Sequence, residues 1–207
     1  AVIEERGAQL QFRHELVREA LLADTTAARR AFGHRQAAQV LRGRPGHDPL
    51  EVAWHARAGG DTELAGSALV DAAATATSRF DSALAEELLT EAIAMRDTPN
   101  ARLARARLRM ARWETEGARA DARAALDLNG GAGAVELAAW IEYYARDYER
   151  AFRFAEQAIE HADDDSLRAS CLARTGRVLH ARGDLYGADD RLSRGVTLAP
   201  SSARGDA

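Results

Sequence analysis

The sequence predicts an all-α fold: an α-α superhelix of helical hairpins, with a short β-hairpin at its N-terminal end. Three observations predict it. Alanine, arginine and leucine are the commonest of the 207 residues and only four are proline, a mix that favours helix because these side chains lose little freedom there. Small residues recur seven apart, as Ala65/Ala72, Ala85/Ala92, Ala118/Ala125, Ala151/Ala158 and Ala188/Gly195. An acid stands four residues before each pair (Asp61, Asp81, Glu114, Asp147, Asp184), and another small residue twelve before it (Ala53, Ala73, Ala106, Ala139, Gly176).

Each offset has a physical meaning. Seven residues are close to two helical turns, so both small residues lie on one face and a neighbouring helix can come close. The acid falls where the second helix of a hairpin begins and can accept its orphan N–H groups. The residue twelve positions back belongs to the first helix, at the closest contact. A second apolar row, Ala73, Ile93, Leu126, Ile159 and Val196, follows the second small residue.

Taken in order, "AVIEERGAQLQF" alternates around Arg6-Gly7 and reads as a β-hairpin. From His14, the residues Leu16, Val17, Ala20 and Leu21 keep a helical period, which Asp24-Thr25-Thr26 interrupts. Thr25 or Thr26 then caps a helix from Ala27 to Leu41, and the breaker-rich "GRPGHDP" is a linker. The helix from Thr62 to about Thr77 closes one hairpin and opens the next. "NGGAGA", Asn129 to Ala134, reads as a loop between hairpins, and "HADDDS" as a helix end followed by an Asp165 or Ser166 cap. "RGD", Arg182 to Asp184, is the tight turn inside the last hairpin.

Composition excludes several function classes. All basic residues are arginine, so no P-loop lysine exists, and the six histidines fall in no metal-ligand spacing. No cofactor is expected. The single cysteine, Cys171, allows no intrachain disulfide and agrees with a cytoplasmic location. No apolar run is long enough for a membrane span. The net charge is −4, but residues 1–47 carry eight arginines against five acids, and the remainder 20 against 27. Nucleic-acid contact through 1–47 is thus an alternative, although it lacks a recognition helix.

The repeat resembles the tetratricopeptide repeat, whose unit is about 34 residues. Gly176, Gly183-Asp184, Ala188 and Pro200 carry the likeness in the last unit. Earlier units depart from it, with Arg105, Arg109 and Glu142 at positions usually apolar or aromatic. Residues 2 to about 96 resemble the middle of large ATP-binding LuxR-type regulators, the signal-transducing ATPases of actinobacteria. The likeness is carried by Phe12-Arg13-His14, Leu16 to Ala20, Arg30, His34, Ala37-Ala38, His55 and Ala58 to Asp61. It implies the C-terminal part of a winged-helix-like segment over 1–47, tetratricopeptide-like helical repeats over 48–200 and a disordered tail over 201–207. His14 and His34 would be packing and hydrogen-bonding residues at the domain seam.

The resemblance further implies a non-catalytic sensor and protein-interaction arm in a transcription regulator. Its partners would be a protein or small inducer, an upstream nucleotide-binding domain, and self-association. The alternative is an arm regulating a kinase or cyclase. "WIEYYARDYERAFRF", Trp140 to Phe154, holds six of the twelve aromatics. In tetratricopeptide arrays first helices line the concave face, and the register puts Arg107, Met110, Trp140, Tyr143, Tyr144, Arg177 and His180 there. Exposed Trp, Tyr and Arg carry interface energy. The alternative for Tyr143, Phe152 and Phe154 is filling of gaps beside the alanines.

Overall fold

The computed structural model describes residues 3–6, 9–12 and 14–199. Two strands, β1 (Ile3–Arg6) and β2 (Gln9–Phe12), pair antiparallel with Ile3 opposite Phe12 and Arg6 opposite Gln9. Gly7, Arg13, Pro200 and the 201–207 tail lie outside the described residues. Among the described residues eleven helices follow, and the chain divides into two compact units between Ala68 and Leu69.

The first unit holds α1 (Glu15–Asp24), α2 (Ala27–Arg42) and α3 (Pro49–Ala58). Thr26 caps α2, its side chain accepting from Arg29 N at 3.3 Å, and Asp48 with Pro49 opens α3. The linker expected over Gly43 to Pro49 ends at Asp48, because Pro49 is already the first residue of α3. α2 packs on α3, where Arg35 Nη1 donates to the Gly59 carbonyl at 2.6 Å. α4 (Thr62–Ser78) comes next in the chain.

The second unit holds α5 (Ser82–Met95) and then three hairpins. These pair α6 (Pro99–Ala111) with α7 (Thr115–Asp127), α8 (Gly131–Tyr144) with α9 (Tyr148–His161), and α10 (Asp165–Ala181) with α11 (Leu185–Leu198). The small residues sit where the spacing puts them: Ala85, Ala118, Ala125, Ala151 and Ala158 are fully enclosed, as is Ala106. A Cβ on Gly176 would meet Leu192 Cγ at 2.7 Å, so α10 and α11 need glycine at their contact. Successive first helices also touch, α6 with α8 and α8 with α10. Among the described residues no close approach joins α7 to α9 or α9 to α11, so the first-helix row forms the inner side of this unit.

Three expectations need correction. Val196 is 63% exposed, because α11 has no following helix among the described residues to cover it. "NGGAGA" is not wholly loop: α8 begins at Gly131 and Ala134 is buried. Gly130 lets the chain turn tightly there, since a Cβ would meet the Ala125 carbonyl at 2.7 Å. The cap of α10 is Asp164, accepting from Leu167 N at 2.7 Å, so neither Asp165 nor Ser166 takes that position.

One turn design joins the hairpin helices. Gly60, Phe80, Trp113, Arg146 and Gly183 all have positive φ, between 61° and 86°. The next residue is always the repeat's acid, and its N–H bonds the carbonyl five residues back, as Asp81 N to Ala76 O at 3.0 Å. That is the Schellman ending, in which a left-handed residue closes the helix. Four of the acids, Asp61, Asp81, Asp147 and Asp184, then cap the next helix through their side chains. Glu114 makes no such cap bond and pairs with Arg112 at 2.8 Å instead. One acid therefore ends one helix and starts another.

The left-handed position costs a residue with a Cβ roughly 1–2 kcal/mol, and glycine nothing. Phe80, 96% exposed, gains no burial in return. Phe80→Gly is expected to stabilise the fold by about 1 kcal/mol, net of glycine's greater freedom in the unfolded chain. Urea unfolding of the two proteins checks this.

Candidate functional site

The inner, first-helix side of the second unit carries an aromatic group built on α8. Trp140, Tyr143 and Tyr144 stand at i, i+3 and i+4, so they share a face. Trp140 and Tyr143 stack with centroids 5.2 Å apart and planes 2° from parallel, while Tyr144 meets Trp140 edge-on at 4.7 Å. Trp113, at the left-handed turn after α6, meets Tyr144 edge-on at 5.3 Å, and Tyr148 lies 5.8 Å from Tyr143. From α10, the guanidinium of Arg174 lies 4.5 Å from the Trp140 ring and that of Arg177 5.6 Å. Both are within cation–π range. Trp113 is 70% exposed and Tyr144 39%, so the rim is open while Trp140 and Tyr143 are half-buried.

The structure thus gathers four of the seven residues that the register selects: Trp140, Tyr143, Tyr144 and Arg177. Met110 is partly buried and packs on the alanine-rich core of α6, α7 and α8. Arg107 and His180 are exposed on α6 and α10, outside the ring contacts. Phe154 packs against two core clusters, and Phe152 lies under Arg182 at 4.9 Å. Trp113 and Arg174 escape the sequence reading. Trp113 does carry a signal: it precedes the repeat's acid, at the position of Gly183, and so falls on the hairpin turn.

Arg105, Arg109 and Glu142, out of pattern in the repeat, belong to an ion lattice beneath this face. Arg102, Arg105 and Arg109 fall at i, i+3 and i+7 on one side of α6, and all three converge on Asp121 of α7. Arg105 donates to both carboxylate oxygens at 2.7 and 2.8 Å, Arg102 at 2.9 Å and Arg109 at 2.8 Å. The surplus positive charge is met by Asp97 on Arg102 and Glu86 of α5 on Arg109, each at 2.7 Å. Arg119 of α7 holds Glu142 of α8 with two bonds, 2.8 and 2.9 Å. Glu136 of α8 receives Ser170 Oγ at 3.1 Å and pairs with Arg174. Arg174 therefore fixes Trp140 and α8 together.

Asp121 is 1% exposed. Burial pushes its carboxyl upward, but the hydrogen bonds of Arg105 and Arg102 and the charges of Arg105 and Arg109 outweigh it and hold it below the usual range. Asp97 is lowered too, chiefly by its bond from Arg102. Cys171 is buried and desolvation pushes its thiol up to about 11.

In the first unit, His34 and His55 meet through their Nδ1 atoms at 2.9 Å, with Trp54 edge-on to both rings. One Nδ1 donates and the other accepts. Burial first, and then the charge of His34, hold His55 below its ordinary value against the pull of Glu51. His14 is exposed and so does not fulfil the packing role expected of it. Among the described residues no three His, Cys, Asp or Glu side chains gather as a metal site requires, and no helix is long and apolar enough to cross a membrane.

No family model and no curated protein matches the sequence. Solved structures do match the fold. MamA residues 41 to the end, from Desulfovibrio magneticus RS-1, is 14% identical with TM-score 0.60, over 88% of this chain and 100% of that one. BtubC from P. vanneervenii is 16% identical with TM-score 0.62, over 89% and 94%. A Podosopora anserina protein of kinesin-light-chain type, with nearly identical TPR-like repeats, is 14% identical with TM-score 0.59, over 86% and 93%. Beyond the N-terminal β-hairpin the described residues are helical, and the fold is a TPR-like repeat array.

Asp121→Ala leaves the buried guanidinium of Arg105 without a carboxylate and takes one partner each from Arg102 and Arg109, and breaking a buried ion pair in this way costs about 3–5 kcal/mol. A loss of that size is expected in urea unfolding at pH 7. Because the folded carboxyl is depressed, its contribution is complete above the unfolded value of about 3.9 and disappears as pH falls through the folded one. The acid-side decline in stability should therefore be shallower in the variant.

Proposed function

We propose that this chain is a non-catalytic protein-interaction arm that grips an acidic, partly apolar segment of a partner across the first-helix face around Trp140. The observation that carries the proposal is the convergence of Trp113, Trp140, Tyr143 and Tyr144 with two arginines on one open face. Large aromatic planes offer contact area at little conformational cost, and such residues dominate binding hot spots. Trp140 is already occupied by Arg174, so the ring group is not an empty cage for a cationic ligand. Arg107 and Arg177 are exposed and, among the described residues, have no ion-pair partner, which favours carboxylates on the incoming chain. The TPR-like fold supports the same role, since it presents rows of side chains rather than a catalytic cleft.

The resemblance of the N-terminal residues to LuxR-type regulators extends the proposal. In that setting the arm serves an ATP-dependent transcription regulator, and an occupied face changes how the arm meets the rest of the protein. Such a change requires unequal affinity of the ligand for the two arrangements.

Random peptides displayed on phage and selected against the chain supply the probe. Enrichment of peptides combining acidic with aromatic or aliphatic residues is expected, and Trp140→Ala with Tyr144→Ala should weaken the best binder at least tenfold. Unchanged affinity with helicity intact by circular dichroism discards this face.

A further inference from the structure

The second-helix side of the same unit holds a separate feature. Because α7 and α9 stand apart over α8, a cleft of about 230 Å³ opens between them. Its walls are largely carbon: Ala122 and Leu126 of α7, Ala138 and Ile141 of α8, and Phe154 of α9. Leu126 and Phe154 are only partly buried, although each packs against two core clusters. The polar part is guanidinium-rich. Arg119 and Glu142 at one end saturate each other. Arg123 and Arg150 stand at the rim with the single carboxylate of Asp127, and an adjoining hollow of about 330 Å³ shares Arg150 and Phe154 and adds Arg153. Arg150 reaches Asp147 at 3.3 Å, whereas Arg123 and Arg153 have no ion-pair partner among the described residues and are exposed.

We propose that this cleft binds a small amphipathic organic anion, an aryl or alkyl carboxylate, with its carbon end on Ala138, Ile141 and Phe154 and its carboxylate among Arg123, Arg150 and Arg153. The sign follows from two uncommitted arginines, Arg123 and Arg153, against one uncommitted acid, Asp127, with Arg150 shared with Asp147. Guanidinium binds carboxylate through paired N–H groups, and does so most strongly where apolar walls thin the solvent. The carbon lining excludes a bare inorganic ion as the best fit, since such an ion would leave that surface uncovered. Size follows too: the cleft is smaller than the roughly 300–1,000 Å³ typical of drug-sized ligands. The site lies away from the Trp140 face and stands whether or not that face binds a peptide.

Phenylbutyrate is a suitable probe and phenylbutanol its neutral counterpart, each titrated into the isotope-labelled chain and followed by amide NMR. The expected result is saturable shifts confined to α7, α8 and α9, with the alcohol at least fivefold weaker. Arg123→Glu with Arg153→Glu should weaken the acid at least fivefold and leave the alcohol unchanged; both sites are exposed, so the fold tolerates the change. The proposal is overturned by an absence of shifts at millimolar probe, by shifts centred on Trp113 and Trp140, or by equal binding of acid and alcohol.

Discussion

Everything in the second unit depends on how closely its helices approach. Alanine and glycine at the crossing points bring the backbones together, so packing is tight while each side chain hides little surface. Buried apolar area contributes roughly 25 cal/mol per Å², and an alanine methyl supplies few of those Å². A core of Ala118, Ala122, Ala125, Ala134 and Ala138 is thus precise in shape and modest in driving force. It also leaves no room for change, because added methylenes at such contacts cost about 1–3 kcal/mol.

The ion lattice makes sense against that background. Charges among packed helices are tolerated only when fully partnered, and Asp121 takes four bonds from three arginines. These bonds depend on direction, unlike methyl contacts. They fix the rotation of α6 against α7, and Arg119 with Glu142 carries the restraint into α8. Arg174 then links it to the ring of Trp140. The rigidity of the exposed aromatic face is inherited from below.

What is legible in the sequence is whatever repeats at short range. Helical period, cap acids and seven-residue spacing are local, so hairpins, their order and a cap at Thr25 or Thr26 can be read directly. Partnerships across helices cannot. Arg105 and Arg109 look like any solvated arginines until α7 brings Asp121 beneath them, and their departure from the repeat pattern is the only trace. Gly131 reads as loop because glycine usually breaks helices, whereas here neighbouring Gly130 serves close approach at a helix start. Of the candidate face, the α8 aromatics are visible as a cluster in sequence. Arg174 is not, because its role depends on how α10 lies on α8.

The lone thiol has a practical consequence. Cys171 is enclosed by Val135 and Ala158, and its proton is held well above neutral pH, so roughly one molecule in ten thousand carries a thiolate at pH 7. Maleimides and iodoacetamides need that thiolate and a path to it. The natural chain is therefore nearly silent toward them, and a cysteine introduced anywhere on its surface can take a fluorophore or spin label without the native one first being removed.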